Sequence, residues 1–337
     1  MRKLIVVGAV ESTEVAIRAA SAAPGWRVAM VVTLPATLAA RHSDFRDLSG
    51  PARACGAELL PTERINAPET LARIAGVAPD LLLVCGWSQI CGPDFLALLP
   101  GRVLGYHPAA LPRLRGRAAI PWTLLNDEPI TAGTLFWIDE GVDSGPVFEQ
   151  RFFHVAPDET AASLYAKHMD ALAAMVARGL ERLAAGDADS AEQEERYATY
   201  AARRRPADGR IDWSRPATEI ERLVRATGRP YPGAFTLFGG GRLTLWAASA
   251  RPDDRRHLTV PGQVVAVDPQ GLLVKTFDGL LHVSDWQAES GKSPRLHSVL
   301  GREADERPAE ARGEAAPSAR AIDDRERAIR RTVPFTT

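Results

Sequence analysis

Two residues thirty-six positions apart, His107 and Asp143, are the side chains of this chain best suited to proton chemistry. His107 follows a short apolar strand, Val103-Leu104, and the chain then turns through Pro108 and Pro112, where φ is fixed and helix is discouraged. Asp143 lies in an acidic turn bounded by glycines, Asp139-Glu140-Gly141-Val142-Asp143-Ser144-Gly145, after an apolar strand expected over Thr131 to Ile138. A histidine handles protons near neutral pH or holds a developing oxyanion, and a neighbouring carboxylate orients it or a catalytic water. Asp139 and Glu140 fit a turn or a solvated charge better. A lone histidine is ordinarily structural. The strand-end position and the Pro-Arg-Gly loop behind it argue for a site, placed beyond the carboxyl edge of a parallel sheet. That loop carries Arg113, Arg115 and Arg117, whose guanidinium groups suit a carboxylate or a phosphate, and Gly116, which permits a tight backbone path.

These residues need a scaffold, and the hydropathy pattern supplies one. Leu4 to Val7, Val28 to Val32 and Leu81 to Val84 are continuous apolar runs, as in strands covered on both faces. Helices are expected over Glu11 to Ala23, Ala67 to Val77, Pro93 to Leu99, Ala118 to Asn126 and Asp158 to Ala185, and a further strand over Val147 to Val155. The alternation predicts an α/β domain with a parallel sheet, over 1–186. His168 lies beside the apolar stripe of the last helix and reads as structural. Residues 187–208 are polar and read as a linker. From 209 to 300, a helix over Pro216 to Thr227 precedes five short strands with Gly and Pro turns: Ala234 to Phe238, Arg242 to Ala247, Gly262 to Val267, Leu272 to Thr276 and Leu280 to Trp286. That pattern predicts a small β-barrel. Residues 301–337 are rich in Ala, Arg, Glu, Asp and Pro, with few large apolar groups, and are expected to be disordered or a loosely docked helix.

Composition narrows the classes. Of 337 residues, 45% are hydrophobic and 25% charged, with net charge -1, so no global positive field favours nucleic acid. Cys55, Cys85 and Cys91 form no CxxC and no metal-ligand spacing; the pattern suits a reducing cytosol and predicts no metal. No apolar run is long enough to span a bilayer, and the start lacks a signal-peptide core and cleavage site, so a cytoplasmic location is expected. The lone Gly8 after the first strand is not GxGxxG and gives little support to dinucleotide binding.

Gly105-Tyr106-His107, Leu111 to Gly116 and Gly141-Val142-Asp143-Ser144-Gly145 together resemble the signature of formyltransferases that use 10-formyltetrahydrofolate. That family includes methionyl-tRNA formyltransferase, nucleotide-sugar N-formyltransferases and, more remotely, glycinamide ribonucleotide transformylase. Gly209-Arg210-Ile211-Asp212-Trp213 and Arg229-Pro230-Tyr231-Pro232-Gly233-Ala234-Phe235 resemble pieces flanking the start of the C-terminal domain of methionyl-tRNA formyltransferases. The resemblance implies a Rossmann-like parallel-sheet catalytic domain followed by an OB-like β-barrel domain. It implies catalytic roles for His107, Asp143 and the residue at 105. It also implies a folate pocket lined by Gly86, Trp87, Ser88, Gln89, Ile90, Leu111, Arg113, Gly116, Ile138, Asp139, Glu140 and Gly141. Arg115, Arg117 and Tyr106 are expected to touch the acceptor. Trp87 reads equally as a pterin wall or a core aromatic.

One departure stands out: the family asparagine, which helps hold the formyl oxygen, is Gly105 here. Losing one preorganised oxyanion donor costs about 10²–10³ in rate. Compensation by Ser88, Gln89 or a backbone N–H is the favoured reading, over a more reactive acceptor or a repurposed relative. The acceptor implied is a small primary amine, foremost a nucleotide-linked amino sugar. Transfer RNA is less favoured: where methionyl-tRNA formyltransferases carry a basic insertion, the stretch Ala39 to Leu48 balances Arg41 and Arg46 with Asp44 and Asp47. Hydrolysis of the formyl-folate and a non-catalytic folate-binding module are the remaining alternatives. The second domain could bind the acceptor, mediate a homodimer or brace the first.

Overall fold

In the computed structural model, the described residues are 1–41, 44–253 and 256–302. The expectation for the tail lies outside them from residue 303 onward, as do residues 42 and 43 of the charge-balanced loop.

The first sheet collects β1 (Arg2–Val7), β2 (Trp26–Thr33), β3 (Glu58–Pro61), β4 (Leu81–Val84), β5 (Val103–His107), β7 (Ile130–Trp137) and β8 (Val147–His154), in the order β3-β2-β1-β4-β5-β7-β8. The five strands from β3 to β5 run parallel, as the βαβ alternation predicted. The next two do not. β7 pairs antiparallel with β5, and β8 antiparallel with β7, so the sheet is mixed. β3 and the short helix α2 (Ser49–Ala54) were not legible in the sequence. β3 is a half-exposed edge strand ending in proline, a composition that reads as loop.

Alternation along β1 shows how the sheet is covered. Leu4 and Val6 pack on the face covered by α1 (Glu11–Ala22) and α6 (Ala161–Ala184). Ile5 and Val7 pack on the other, under α3 (Pro68–Val77) and α4 (Pro93–Ala97). Helix α6 starts at Ala161 because Thr160 caps it, its hydroxyl accepting from the Ser163 N–H at 3.2 Å.

Between β5 and β7 lie β6 (Arg115–Gly116) and α5 (Ala119–Leu125). The polar stretch after α6 is not a free tether. Its β9 (Tyr200–Ala201) pairs in parallel with β6. Beyond it, α7 (Ala217–Thr227) packs on α5 and on the strand Gly241–Arg251, and Arg222 Nη2 reaches Asp127 Oδ2 at 2.7 Å.

The second sheet is antiparallel, in the order β10-β11-β14-β13-β12, from β10 (Ala234–Phe238), β11 (Gly241–Arg251), β12 (Val264–Asp268), β13 (Gly271–Lys275) and β14 (Leu280–Ala288). Residues 298–301 join its two edges. Ser298 O accepts from Val264 N at 2.8 Å, and Gly301 N donates to Leu237 O at 2.9 Å. Among the described residues no helix is long and apolar enough to cross a membrane.

Candidate active site

His107 is the last residue of β5, and the hydrogen bonds of its imidazole define its chemistry. Nε2 lies 2.7 Å from Leu114 O. A carbonyl only accepts, so Nε2 carries a proton and Nδ1 is the atom left for chemistry. Nδ1 lies 3.4 Å from Asp143 Oδ2. That oxygen also accepts from the Gly116 N–H at 2.7 Å. The imidazole is only 6% exposed, yet it forms part of a cleft of about 530 Å³. A cleft of that size suits a small-molecule ligand.

Asp143 arrives by an unexpected route. Because β7 is antiparallel to β5, its carboxyl end lies beside Leu104, not beside His107. Residues 138–146 must therefore run back across the sheet to reach the imidazole. Within this turn Asp139 accepts from the Gly141 N–H at 3.0 Å and from Ser144 Oγ at 2.8 Å, so it shapes the loop. Asp143 has φ +50, a left-handed conformation that costs most residues about 1–2 kcal/mol and that Asp tolerates better than most.

The cleft gathers most of the residues singled out in the sequence. Gly86, Trp87, Ser88, Gln89 and Ile90 form one wall; Gly105, Tyr106 and His107 lie at its base; Ile138 to Gly141, Asp143, Gly116 and Arg117 complete it. Three expected residues do not reach it. Leu111 is buried, and its carbonyl accepts from Gln150 Nε2 at 3.0 Å. Arg113 pairs with Glu128 on the surface. Arg115, 1% exposed, points into the connector, donating to Gln193 Oε1 at 3.1 Å, Glu195 Oε2 at 2.8 Å and the Tyr200 hydroxyl at 3.1 Å. The reason is local. Leu114 at φ +57 and Gly116 at φ +106 break the extended alternation, so Arg115 and Arg117 diverge. Only glycine fits at 116, since a Cβ there would lie 2.6 Å from Ala201 O.

Arg117 has no hydrogen-bond or ion-pair partner for its side chain among the described residues, and it lowers its own affinity for a proton through partial burial and then the nearby Arg203 charge. Tyr106 borders the cleft, but its hydroxyl is held by His168 at 3.1 Å from both Nδ1 and the backbone oxygen. His168 is fully buried. Burial, then the proximity of His107, pushes its imidazole down to about 3, so it stays neutral.

Gly105 leaves no vacancy for a side chain. A Cβ at that position would meet Ile138 and Phe136 at 2.9 Å. Gln89 Nε2 donates to Glu63 O at 2.8 Å and its Oε1 accepts from Ile65 N at 3.0 Å. These bonds pin the wall.

The sequence reading missed the far end of the cleft, where Asp44, Tyr165, Met169 and Tyr231 converge. Tyr165 donates to Asp44 Oδ2 at 3.2 Å. Burial and then the Asp44 charge push both phenols up, so they remain protonated donors. Tyr231 belongs to the Arg229-Pro230-Tyr231-Pro232-Gly233 turn, read from sequence only as rigid; nothing in its local pattern signals that α7 folds back to deliver it. Among the described residues, no group of three or more His, Cys, Asp or Glu side chains is placed to hold a metal ion.

A doubly covered α/β sheet with a buried imidazole beside a half-buried carboxylate in a cleft, joined to a small antiparallel β domain, defines the class. The formyl transferase family matches residues 2–178, and the formyl transferase C-terminal domain matches residues 204–302. The chain belongs to the formyl transferase family. Similar solved structures include the N-formyltransferase from Helicobacter canadensis in complex with folinic acid and dTDP-3-aminofucose. At 15% identity and TM-score 0.62, that match covers 85% of this chain and 100% of the other. WlaRD, a sugar 3N-formyltransferase solved with dTDP and 5-N-formyl-THF, is 16% identical at TM-score 0.61, covering 87% and 99%. HypX from Aquifex aeolicus, in complex with tetrahydrofolic acid, is 20% identical at TM-score 0.59; 88% of this chain matches 46% of that longer one. At these identities the likeness is one of fold.

Proposed function

We propose that the chain transfers the formyl group of 10-formyltetrahydrofolate to the primary amine of a nucleotide-linked amino sugar. The observation that carries this reading is the His107–Asp143 pair, 3.4 Å apart inside a cleft of a formyl transferase fold. Two of the similar structures hold a formylated folate together with a dTDP ligand. Val84, Trp87, Ile90 and Ile138 give one end of the cleft an apolar lining suited to a pterin ring.

Bound there, the donor supplies an electrophilic formyl carbon. The neutral amine forms the new C–N bond and the bond to folate N10 breaks. One proton must leave the amine and one must reach N10, so the products are the formamide and tetrahydrofolate. His107 Nδ1 and Asp143 Oδ2 are the pair placed to take that proton and return it, because Nε2 is tied to Leu114 O. The Gly116 N–H holds the carboxylate in position while the proton moves.

The acceptor reading rests on charge. Arg117 lines the cleft, its backbone N–H bonds to Ala201 O at 3.0 Å, and the Arg203 charge acts on its guanidinium. Arg204 is fixed over the Trp122 ring at 5.3 Å and bonds to Asp208 O at 2.7 Å. With no carboxylate paired to it among the described residues, the Arg117 guanidinium suits a phosphate, in a cleft otherwise lined by Asp44, Asp139, Glu140 and Asp143. The same guanidinium would serve a second reading, an aminoacylated tRNA, whose acceptor end also carries phosphates.

Incubating the protein with 10-formyltetrahydrofolate and separate acceptors tests both. Tetrahydrofolate release only with a dTDP-linked amino sugar is expected. Release only with aminoacylated initiator tRNA would sink the sugar reading, and release with no acceptor would mean a hydrolase.

A further inference from the structure

We infer that the connector between the two domains is a working part of the active site, with Gln193 as the residue that positions Asp143. The inference rests on the proton-handling role proposed above for the His107–Asp143 pair.

The turn that carries Asp143 belongs to no helix or strand, and Asp143 itself sits at φ +50. Such a conformation persists only where its surroundings over-determine it. Gln193 supplies that constraint. Its amide nitrogen donates to Asp143 O at 2.8 Å and to Gly145 O at 2.7 Å, using both of its hydrogens on the backbone of Asp143 itself and of the residue two further along the turn. Its amide oxygen accepts from Arg115 Nε at 3.1 Å. Arg115 is buried and its guanidinium also holds Glu195 and Tyr200, so the amide cannot rotate without leaving a buried cation short of an acceptor.

The connector holds the histidine too. Leu114, whose carbonyl fixes His107, donates its N–H to Thr199 Oγ1 at 2.9 Å. Gly116, whose N–H holds Asp143, pairs with Ala201 across β6 and β9. Ala191 and Val147 exchange backbone bonds of 2.8 and 2.9 Å at the foot of the turn. Gln193 thus holds the carboxylate turn, Thr199 the residue whose carbonyl fixes the imidazole, and Ala201 the strand that carries the Gly116 amide. A passive tether requires none of these contacts.

The test uses the full chain with Gln193→Met, which keeps the length of the side chain and removes its donors and acceptor. Two readouts are taken: amide hydrogen exchange over residues 138–146, and kcat with the donor KM and the pH profile of kcat. The expected result is faster exchange in that turn, a kcat lower by about 10- to 100-fold as for a small misplacement of a reacting group, a displaced pH profile, and a donor KM held within about twofold. Should Gln193→Met fail to fold, Thr199→Val reads the same strap from the histidine side, with Thr199→Ser restoring wild-type rate. Unchanged exchange would overturn the strap. Faster exchange with wild-type kcat and pH profile would overturn the positioning role. A wild-type chain inert with every donor–acceptor pair would instead overturn the functional reading, and the exchange measurement would still decide on the strap.

Discussion

On one side of the cleft, Gly86 to Ile90 leave β4 as a wall whose Ile90 side chain is 75% exposed. Gln89 and Asn66 pin its backbone, Asn66 Nδ2 donating to Ile90 O at 2.9 Å, while the side chains of Trp87 and Ile90 face the cleft with little polar structure around them. On the other side, His107, Asp143 and Gly116 are each held by at least one directed hydrogen bond and backed by the connector. The difference separates tasks. Burying a flat ring needs area and tolerates small displacements, since the hydrophobic term is non-directional. Moving a proton between an amine and a folate nitrogen needs donor and acceptor atoms within hydrogen-bond reach.

If the two walls divide the work in this way, breaking the rigid one should hurt turnover and trimming the open one should weaken binding. Asp143→Asn keeps the turn geometry and removes the proton acceptor. A kcat loss of about 10²–10³, within the range for a general acid–base group, is expected in steady-state assays with the donor KM little changed. Gly105→Asn comes next. It restores the family residue but drives a side chain into Phe136 and Ile138, so thermal or denaturant unfolding should show a loss of about 1–3 kcal/mol and no gain in kcat. Arg117→Met, at the junction of the walls, should raise the KM of a phosphorylated acceptor by about tenfold, roughly 1.4 kcal/mol, with kcat unchanged. Ile90→Ala should have the smallest effect: the donor KM rises a few-fold, as for about 1 kcal/mol of lost apolar contact, and kcat holds.

How much of this was legible before the coordinates depended on the kind of signal. The parallel strands announced themselves because they are buried on both faces and read as unbroken apolar runs, Leu4 to Val7 and Leu81 to Val84. The antiparallel turn of β7 and β8 did not, since an apolar run carries no direction. His107 and Asp143 were found through motif spacing. The fates of Arg113, Arg115 and Arg117 were not, because they depend on positive φ at Leu114 and Gly116, one of them a residue type that gives no warning. Gln193, Thr199 and Tyr231 lie in segments whose composition says only polar connector or rigid turn. Their roles arise from long-range packing that no local pattern encodes. Gly105 was noticed as a missing amide, but the filling of its space by Phe136 and Ile138 required the sheet register, which pairs Gly105 with Phe136.

The central claim is that the imidazole of His107 handles the protons of formyl transfer. The most direct measurement is the single-turnover rate of formyl transfer from 10-formyltetrahydrofolate to a dTDP-linked amino sugar by His107→Ala, at matched folded fraction and saturating ligands. The account predicts a rate lower by about 10²–10⁴, the contribution of a positioned general acid–base. A variant that folds, binds both ligands and turns over at the wild-type rate would contradict it.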